Sequence, residues 1–365
     1  MFSKYITNLE KIDNLSKSET ENLKKVTEKY KFRANEYYLS LVNWEDENDP
    51  IKKIIIPQLE ELEEWGFEDA SNEKSYTVAK GLQHKYPDTA LLLVNDVCGG
   101  FCRFCFRKRL FINKGEEVTR NFDAEIEYIK EHKEITNVLL TGGDSLLLSS
   151  KKIENLLSKL REIDHVQIIR LGSKMLAFDP FRIINDDFLI EALKKYSFKE
   201  KRIYLMAHYN HPNEITKDSI TAVDKLLKAG VIISNQTPMI KGINDNPEIL
   251  SSLFKKLSFI GIPPYYVFQG RPVMGNKPFI VPLEEGFSKF LKAISNVSGL
   301  AKRARYVISH STGKIHVLSM TKETITFKYM RSFNPDNYGK FFIYKRNSNA
   351  FWYDDYDNLI ETYTI

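Results

Sequence analysis

The sequence lacks the features that would assign a chain of 365 residues to several common classes. No apolar run approaches the roughly 18 residues of a membrane-spanning helix, and the N-terminus has no secretory signal pattern. The net charge of only +5 gives no reason to expect nucleic acid as a partner. Internal repeats and low-complexity tracts are also missing. We therefore expect a soluble, cytoplasmic, globular protein that binds neither membranes nor nucleic acid.

Cysteine is scarce, and its placement is the most informative feature of the chain. The three cysteines, Cys98, Cys102 and Cys105, fall within eight residues, a number and spacing that exclude a disulfide framework. Soft sulfur ligands suit iron–sulfur centres, so one loop with three thiolates predicts a [4Fe–4S] cluster. Such a cluster keeps one iron without a protein ligand. That iron is open to a substrate, which indicates catalysis rather than electron storage.

A zinc site is the alternative interpretation of the same cysteines. Structural zinc takes four ligands, so a distant histidine such as His84, His208 or His211 would have to complete the site.

Between residues 89 and 297, short β-rich runs alternate with amphipathic segments. Strands are predicted at 89–95, 136–141, 166–171, 202–208, 231–236 and 264–269. Helices are predicted at 123–134, 151–163, 186–196, 216–229, 247–259 and 283–297. Six strand–helix units with continuous apolar strands indicate a buried parallel sheet with right-handed crossovers. The predicted fold class is therefore α/β, a partial (β/α)6 barrel with the cysteine loop at its C-terminal mouth.

The two flanks of this region have different patterns. Residues 1–80 carry helical spacing, mainly at 9–32 and 35–44, and are expected to form an N-terminal helical extension. After residue 314, alternation at 314–320, 324–330, 340–345 and 350–353 predicts a small antiparallel β segment. We expect three parts: the extension at 1–80, the barrel at 81–300 and a C-terminal segment at 301–365.

The cysteine spacing is that of the radical S-adenosylmethionine (SAM) enzymes, and flanking motifs narrow the resemblance. The motifs lie at residues 85–88, 105–109, 139–147, 207–212, 235–245 and 264–269. Together they resemble the lysine 2,3-aminomutase family over roughly residues 80–315. The resemblance implies a 5′-deoxyadenosyl radical, made from SAM at the cluster, and a pyridoxal 5′-phosphate (PLP) imine. It implies an isomerase that moves an amino group between C2 and C3 of an amino acid.

The resemblance also assigns residues to SAM. Gly142, Gly143 and Asp144 match the motif beside the methionine moiety, where glycines allow close approach and the carboxylate accepts from the ammonium. A tight strand-to-helix turn is the other interpretation of the glycines. His208 and Asn210 match positions near the ribose of SAM. The alternative interpretation of His208 is a structural histidine at the barrel mouth.

Further matches concern PLP and the substrate. Lys314 occupies the place of the lysine that forms the Schiff base with PLP, and Gln236 matches a residue beside the ring. Arg107 matches the residue that holds the substrate α-carboxylate. The family's two phosphate-binding arginines are replaced by Lys85, which can still hold a phosphate, and by Thr89.

Three departures bear on cofactor and substrate. The ring-packing tyrosine is Phe268, and the two aspartates that hold the distal ammonium of lysine are Arg271 and Val307. An arginine repels an ammonium and attracts a carboxylate. We therefore expect a substrate other than lysine, with an acidic amino acid such as glutamate favoured.

Two other functional classes stay open. One is a PLP-independent radical SAM enzyme on the same scaffold, and the other is a non-catalytic iron–sulfur or zinc module. Expected partners are the amino-acid substrate, a reducing electron donor such as flavodoxin or ferredoxin, and a second copy of the chain in a homo-oligomer.

Overall fold

The computed structural model describes residues 4–113 and 115–364, and the chain divides into two compact units. The first unit comprises Met1–Leu59, Glu73–Tyr209 and Asn213–Ser234. The second comprises Glu60–Asn72, Asn210–Pro212 and Asn235–Ile365. Among the described residues, no helix combines the length and the apolar character needed to cross a membrane.

The N-terminal part of the first unit is less helical than its sequence pattern predicts. Its elements are β1 (Tyr5–Ile6), α1 (Lys17–Lys29), β2 (Ala34–Asn35), α2 (Glu36–Leu39) and α3 (Pro50–Ile55), with β1 and β2 antiparallel. Helix α1 begins at Ser16, whose hydroxyl accepts from the Glu19 amide while the Glu19 carboxylate accepts from the Ser16 amide. The predicted helix at 35–44 is reduced to the four residues of α2.

The rest of the first unit is a mixed sheet with helical connections. Its strands are β3 (Thr77–Ala79), β4 (Leu82–Tyr86), β5 (Thr89–Asn95), β6 (Asn137–Gly142), β7 (Ile168–Ser173) and β8 (Ile203–Ala207). Its helices are α4 (Arg109–Ile112), α5 (Asp123–Glu131), α6 (Ser150–Arg161), α7 (Met175–Phe178), α8 (Phe181–Ile184), α9 (Asp187–Tyr196) and α10 (Lys217–Lys228). Strands β3, β4 and β5 are antiparallel, whereas β5 to β8 are parallel.

The register of the parallel strands sets the position of the predicted site. Leu92 on β5 pairs with Leu140 on β6, which pairs with Leu171 on β7, which pairs with Leu205 on β8. These leucines are at most 1% exposed and form a continuous buried row. The carboxyl ends of β5 to β8 therefore meet at one edge of the sheet, where α/β proteins place their functional loops.

The second unit continues from β9 (Ile232–Pro238), which begins in the first unit. Its other strands are β10 (Pro264–Phe268), β11 (Arg305–His310), β12 (Gly313–Met320), β13 (Thr324–Ser332), β14 (Phe341–Lys345) and β15 (Leu359–Tyr363). Its helices are α11 (Pro247–Phe259) and α12 (Leu283–Ser295). Strands β9, β10 and β11 are parallel, and β11 to β15 form an antiparallel succession.

The six predicted strands and six predicted helices between residues 89 and 297 are all present, with ends shifted by a few residues. A further parallel strand, β11, was not predicted. No helix follows it, so a search for strand–helix units passes over it. Strands β3 and β4 were likewise not predicted.

The predicted strand at 350–353 is wrong. The Asp355 carboxylate accepts from the amides of Phe351 and Trp352, at 2.8 and 2.9 Å, and holds this segment as a turn. The segment that pairs with β14 is instead β15.

Candidate functional site

The loop that carries the three cysteines begins just after β5 and is held at several points in the first unit. The Phe101 amide donates to the carbonyl of Arg33, and the Arg103 amide donates to the carbonyl of Ile54, both at 2.9 Å. The Arg103 side chain is only 1% exposed and donates to the carbonyl of Lys31 at 2.9 Å. The loop is therefore anchored by the N-terminal extension.

The three thiols form no disulfide and are partly buried. Burial raises the pKa of Cys98 and Cys105, and raises that of Cys102 to about 12. The other two thiols add to the rise at Cys98, while the Arg107 amide donates to the Cys105 sulfur at 3.4 Å. A metal replaces the protons of such thiols on binding.

The donor set fits a cubane cluster. Among the described residues, no three His, Cys, Asp or Glu side chains are placed to hold one metal ion together. A [4Fe–4S] cluster makes a different demand, because each cysteine binds a different iron. Three sulfur donors from one loop meet that demand and leave one iron open.

The two glycines after β6 allow a close approach of the chain to itself. Gly142 has a φ of +119°, and a Cβ there would lie 2.5 Å from the Asn95 carbonyl oxygen. A Cβ on Gly143 would overlap the backbone of Val97. The Asp144 amide donates to the Val97 carbonyl at 2.8 Å. The tight-turn interpretation therefore accounts for both glycines, and their contact with SAM stays a prediction.

Asp144 is 3% exposed and connects two strand ends. One carboxylate oxygen accepts from the Leu146 amide at 3.0 Å, and the other accepts from the Lys174 amide at 2.7 Å. Burial raises the pKa of Asp144 to about 6 despite these bonds. The Ser173 side chain also bonds to this carboxylate, and its contact with the ammonium of SAM stays a prediction.

His208 follows β8 and lies close to the cysteine loop. Its ring meets that of Phe104 edge-on, with centroids 6.1 Å apart. Burial, with the Lys174 ammonium as the second cause, lowers the pKa of His208 well below its usual value. The ring is therefore neutral at pH 7, and its contact with the ribose of SAM stays a prediction.

Arg107 forms a bidentate ion pair inside the first unit. Its Nε and Nη2 donate to the two oxygens of Glu73, at 3.0 and 2.9 Å. Glu73 also accepts from Arg109 at 2.7 Å, and Arg109 donates to Glu117. The side chains of Arg107, Arg109 and Glu73 are at most 10% exposed. In the described part of the chain, Nη1 of Arg107 makes no hydrogen bond, so that edge of the guanidinium is available to a ligand.

In the second unit, two of the predicted PLP residues share a neighbour. The Lys314 ammonium lies over the rings of Tyr266 and Phe268, 4.3 and 5.3 Å from their centroids. Gln236 on β9 pairs with Tyr266 on β10. Three strands therefore bring Lys314, Tyr266 and Gln236 together.

Arg271 and Val307 stand where lysine-acting relatives are expected to have aspartates. One lies after β10 and the other lies on the neighbouring strand β11. Arg271 lies in the loop after β10 and is partly buried. Val307 on β11 pairs with Phe268 and is fully buried. A buried valine offers nothing to a distal ammonium.

Two further predicted residues have contacts within their own units. Lys85 is on β4 in the first unit, with its ammonium 4.8 Å from the centroid of the Tyr76 ring. Asn210 is buried in the second unit, where its carbonyl accepts from Asn244 at 3.0 Å. Both roles stay predictions.

Sequence reasoning missed four buried polar residues near the site: Tyr38, Glu73, Lys174 and Glu214. Each lies on a segment that reads as an ordinary helix or turn. The one available signal was the position of Lys174, three residues after the predicted apolar strand at 166–171.

The comparisons with known proteins agree with this geometry. A model of the radical SAM superfamily matches residues 92–253, which include the cysteine loop. An Aquifex aeolicus protein provisionally named L-lysine 2,3-aminomutase is 54% identical to this chain. The match covers 99% of this chain and 96% of the length of that protein. The L-lysine 2,3-aminomutase of Clostridium subterminale is 37% identical over 77% of this chain and 67% of its own. The glutamate 2,3-aminomutase of Clostridioides difficile is 38% identical over 81% of this chain and 69% of its own length.

Proposed function

Because the chain belongs to the lysine 2,3-aminomutase family of radical SAM enzymes, we propose that it moves an amino group between C2 and C3 of an acidic amino acid, with glutamate as the first candidate. Membership confirms the predicted α/β radical SAM fold class. It also confirms a [4Fe–4S] cluster and SAM as cofactors. PLP, the substrate and the residue roles belong to the proposal.

The cysteine loop would hold the cluster through Cys98, Cys102 and Cys105. Supporting this role, the three thiols lie on one anchored loop and are the only cysteines of the chain. When bound, the cluster and SAM supply the radical that removes a substrate hydrogen, and PLP supplies the group that carries the migrating nitrogen. The protein contributes binding, orientation and the exclusion of water.

Arg107 would bind the α-carboxylate of the substrate. Glu73 occupies the Nε–Nη2 edge of the guanidinium and leaves the Nη1 edge for a second carboxylate. A guanidinium can accept two carboxylates because it has five N–H donors in one plane. The bond from the Arg107 amide to the Cys105 sulfur ties this binding position to the cluster.

The observation that carries the proposal is the position of Lys314. Its ammonium lies 4.3 Å from the centroid of Tyr266, whose strand neighbour is Gln236, so a lysine, an aromatic face and an amide converge. That is the set of groups needed to bind the aldehyde and the ring of PLP. Lys85 would bind the phosphate.

The acidic substrate is supported by Arg271 and Val307. A carboxylate at the far end of the substrate would be attracted by Arg271, whereas the ammonium of lysine would be repelled. Val307 is fully buried and offers no compensating charge.

The test is turnover by anaerobically reconstituted, reduced enzyme with SAM and PLP. Glutamate, aspartate, alanine and lysine are supplied in parallel, and β-amino acids are identified by chromatography. We expect β-glutamate and little or no β-lysine, and we expect Arg271→Gln to lower kcat/KM for glutamate at least tenfold. Formation of β-lysine alone would overturn the substrate assignment.

A second measurement separates the proposal from the PLP-independent alternative. Bound PLP gives an absorption band near the edge of the visible range, and Lys314→Ala should abolish it. Lys328→Ala is the matched control, because the Lys328 ammonium also lies over an aromatic ring, 4.6 Å from the centroid of Phe341. Cleavage of SAM without a PLP band or a β-amino acid would favour the alternative.

A further inference from the structure

A buried ammonium lies just beyond the end of β7. The Lys174 side chain is 5% exposed, and Nζ donates to the Glu214 carboxylate at 2.5 Å and to the His208 carbonyl at 2.8 Å. Glu214 is fully buried and also accepts from the Tyr38 hydroxyl at 2.6 Å. An ion pair this deeply buried is costly to desolvate and is weak evidence of a purely stabilising role.

The segment that follows Lys174 is packed against the cysteine loop from one side. Helix α7 follows Lys174 directly, and a Cβ on Gly99 would lie 2.7 Å from the sulfur of Met175. The Asn35 amide group donates to the carbonyls of both Gly99 and Phe178, at 3.1 and 2.9 Å. The segment that begins with Lys174 is therefore held directly on the cysteine loop.

The same pair meets the loop from a second side. Lys174 binds the carbonyl of His208, and the His208 ring packs edge-on against Phe104, which lies between Cys102 and Cys105. The Lys174 amide also donates to Asp144 at 2.7 Å. The bonds of the ammonium to His208 and Glu214, together with the bond of the backbone amide to Asp144, thus hold Lys174 at a fixed place beside the loop.

The charge of Lys174 acts on Cys102. Burial raises the pKa of the Cys102 thiol to about 12, and the Lys174 ammonium is the strongest influence against this rise. The Glu214 carboxylate adds to the rise but has a smaller effect than Lys174. Lys174 therefore lies close enough to Cys102 for its charge to act there, in surroundings where water screens charges weakly.

We infer that Lys174 raises the reduction potential of the cluster on the cysteine loop, and that Glu214 and Tyr38 hold its ammonium in place for this purpose. Reduction adds one negative charge to the cluster, and a nearby fixed cation stabilises that charge. The cluster is then easier to reduce by the electron donor. The inference rests on the cluster that family membership implies, and it does not depend on the proposed aminomutase reaction.

The test is an anaerobic redox titration of the cluster, followed by electron paramagnetic resonance in the absence of SAM. Lys174→Met should make the cluster about tenfold harder to reduce, which for one electron is a shift of about 59 mV to more negative potential. Lys174→Arg keeps the charge and should restore the wild-type potential. Because the readout is a potential, loss of packing alone does not predict rescue by arginine.

Lys225→Met is the matched control. Lys225 also donates to a carbonyl, that of Ile184, and to a carboxylate, that of Asp187, but it lies on α10. Its loss should leave the potential unchanged. A folded, fully loaded Lys174→Met protein with the wild-type potential would overturn the inference, as would an equal shift in the control.

The single variant leaves Glu214 buried without its cation and could fail to fold. If the single variant does not fold, the double variant Lys174→Met, Glu214→Gln takes its place in the test, because it buries no unpaired charge. A negative shift, smaller than that of the single variant, is again expected, because the ammonium is bonded to His208, whose ring contacts the loop. An unchanged potential in the double variant contradicts the inference. Absence of β-amino acid product, with the potential shift intact, contradicts only the proposed function.

Discussion

Glu73 accepts two hydrogen bonds from the guanidinium of Arg107, at 3.0 and 2.9 Å, although the two residues are 34 positions apart. Both side chains are at most 10% exposed. The pairing determines which edge of the guanidinium stays available, because the Nε–H group and one N–H group of Nη2 already donate to Glu73. Glu73 is thus a positioning residue for the carboxylate site that we propose at Arg107.

Glu73→Gln should raise KM for the amino-acid substrate about tenfold and change kcat less, because the guanidinium loses its fixed orientation. It should also lower the free energy of unfolding by about 3 kcal/mol, since Arg107 and Arg109 lose a buried carboxylate. Steady-state kinetics and urea unfolding of the cluster-loaded protein measure the two effects.

Glu117→Gln is the control for this prediction. Glu117 pairs with Arg109, is 22% exposed and makes no bond to Arg107. The KM of the Glu117→Gln variant for the amino-acid substrate should stay near that of the wild type. An unchanged KM in Glu73→Gln would exclude a positioning role.

The cysteines allow a count of thiols without interference from other residues. The chain has three cysteines in all, so alkylation of the cluster-free protein should add three labels by mass spectrometry. The anaerobically loaded protein should add almost none, because the thiolates are bound to iron. Cys102→Ala should lose iron and sulfide together. Three labels on loaded protein would show that the metal is held elsewhere.

Gly143→Ala should destabilise the protein by about 1 to 3 kcal/mol or more, because its methyl group would overlap the backbone of Val97. The strand end would have to move away from the chain that leads into the cysteine loop, so cluster loading should fall as well. Gly299→Ala is the control, since a Cβ at Gly299 meets no atom within 4 Å. Thermal unfolding and iron content provide the measurements. Equal effects of the two variants would contradict the close approach.

His316 on β12 should contribute to the pH dependence of stability. Burial, followed by the charges of Arg305 and Lys328, lowers its pKa from 6.5 to about 4. The folded protein therefore disfavours the protonated ring. The stability contribution is present above pH 6.5 and is lost as the pH falls toward 4.

His316→Gln removes this contribution. Between pH 8 and pH 5, the variant should lose about 1 to 2 kcal/mol less unfolding free energy than the wild type, after allowance for the partial exposure of the ring. Urea unfolding at the two pH values gives the comparison. Parallel losses in both proteins would show that His316 does not titrate as described.

The positions of most elements followed from local pattern. The continuous apolar runs of β5 to β10 and the amphipathic helices between them are visible in the sequence, because strand and helix periodicities differ. Strand β11 was missed because it has no following helix. The segment 350–353 alternates like a strand, but the Asp355 side chain binds its amides and turns it away from the sheet.

At the site, the donor set follows from local sequence: three cysteines on one loop, after the first parallel strand, in a family whose members use SAM. The spacing of residues within one loop does not depend on the rest of the fold. Which charges surround that loop depends instead on contacts between segments that are distant in sequence. Glu73 meets Arg107 across 34 positions, and Glu214 meets Lys174 across 40. Such pairs form because a buried charge needs a partner, and the fold determines which partner is within reach.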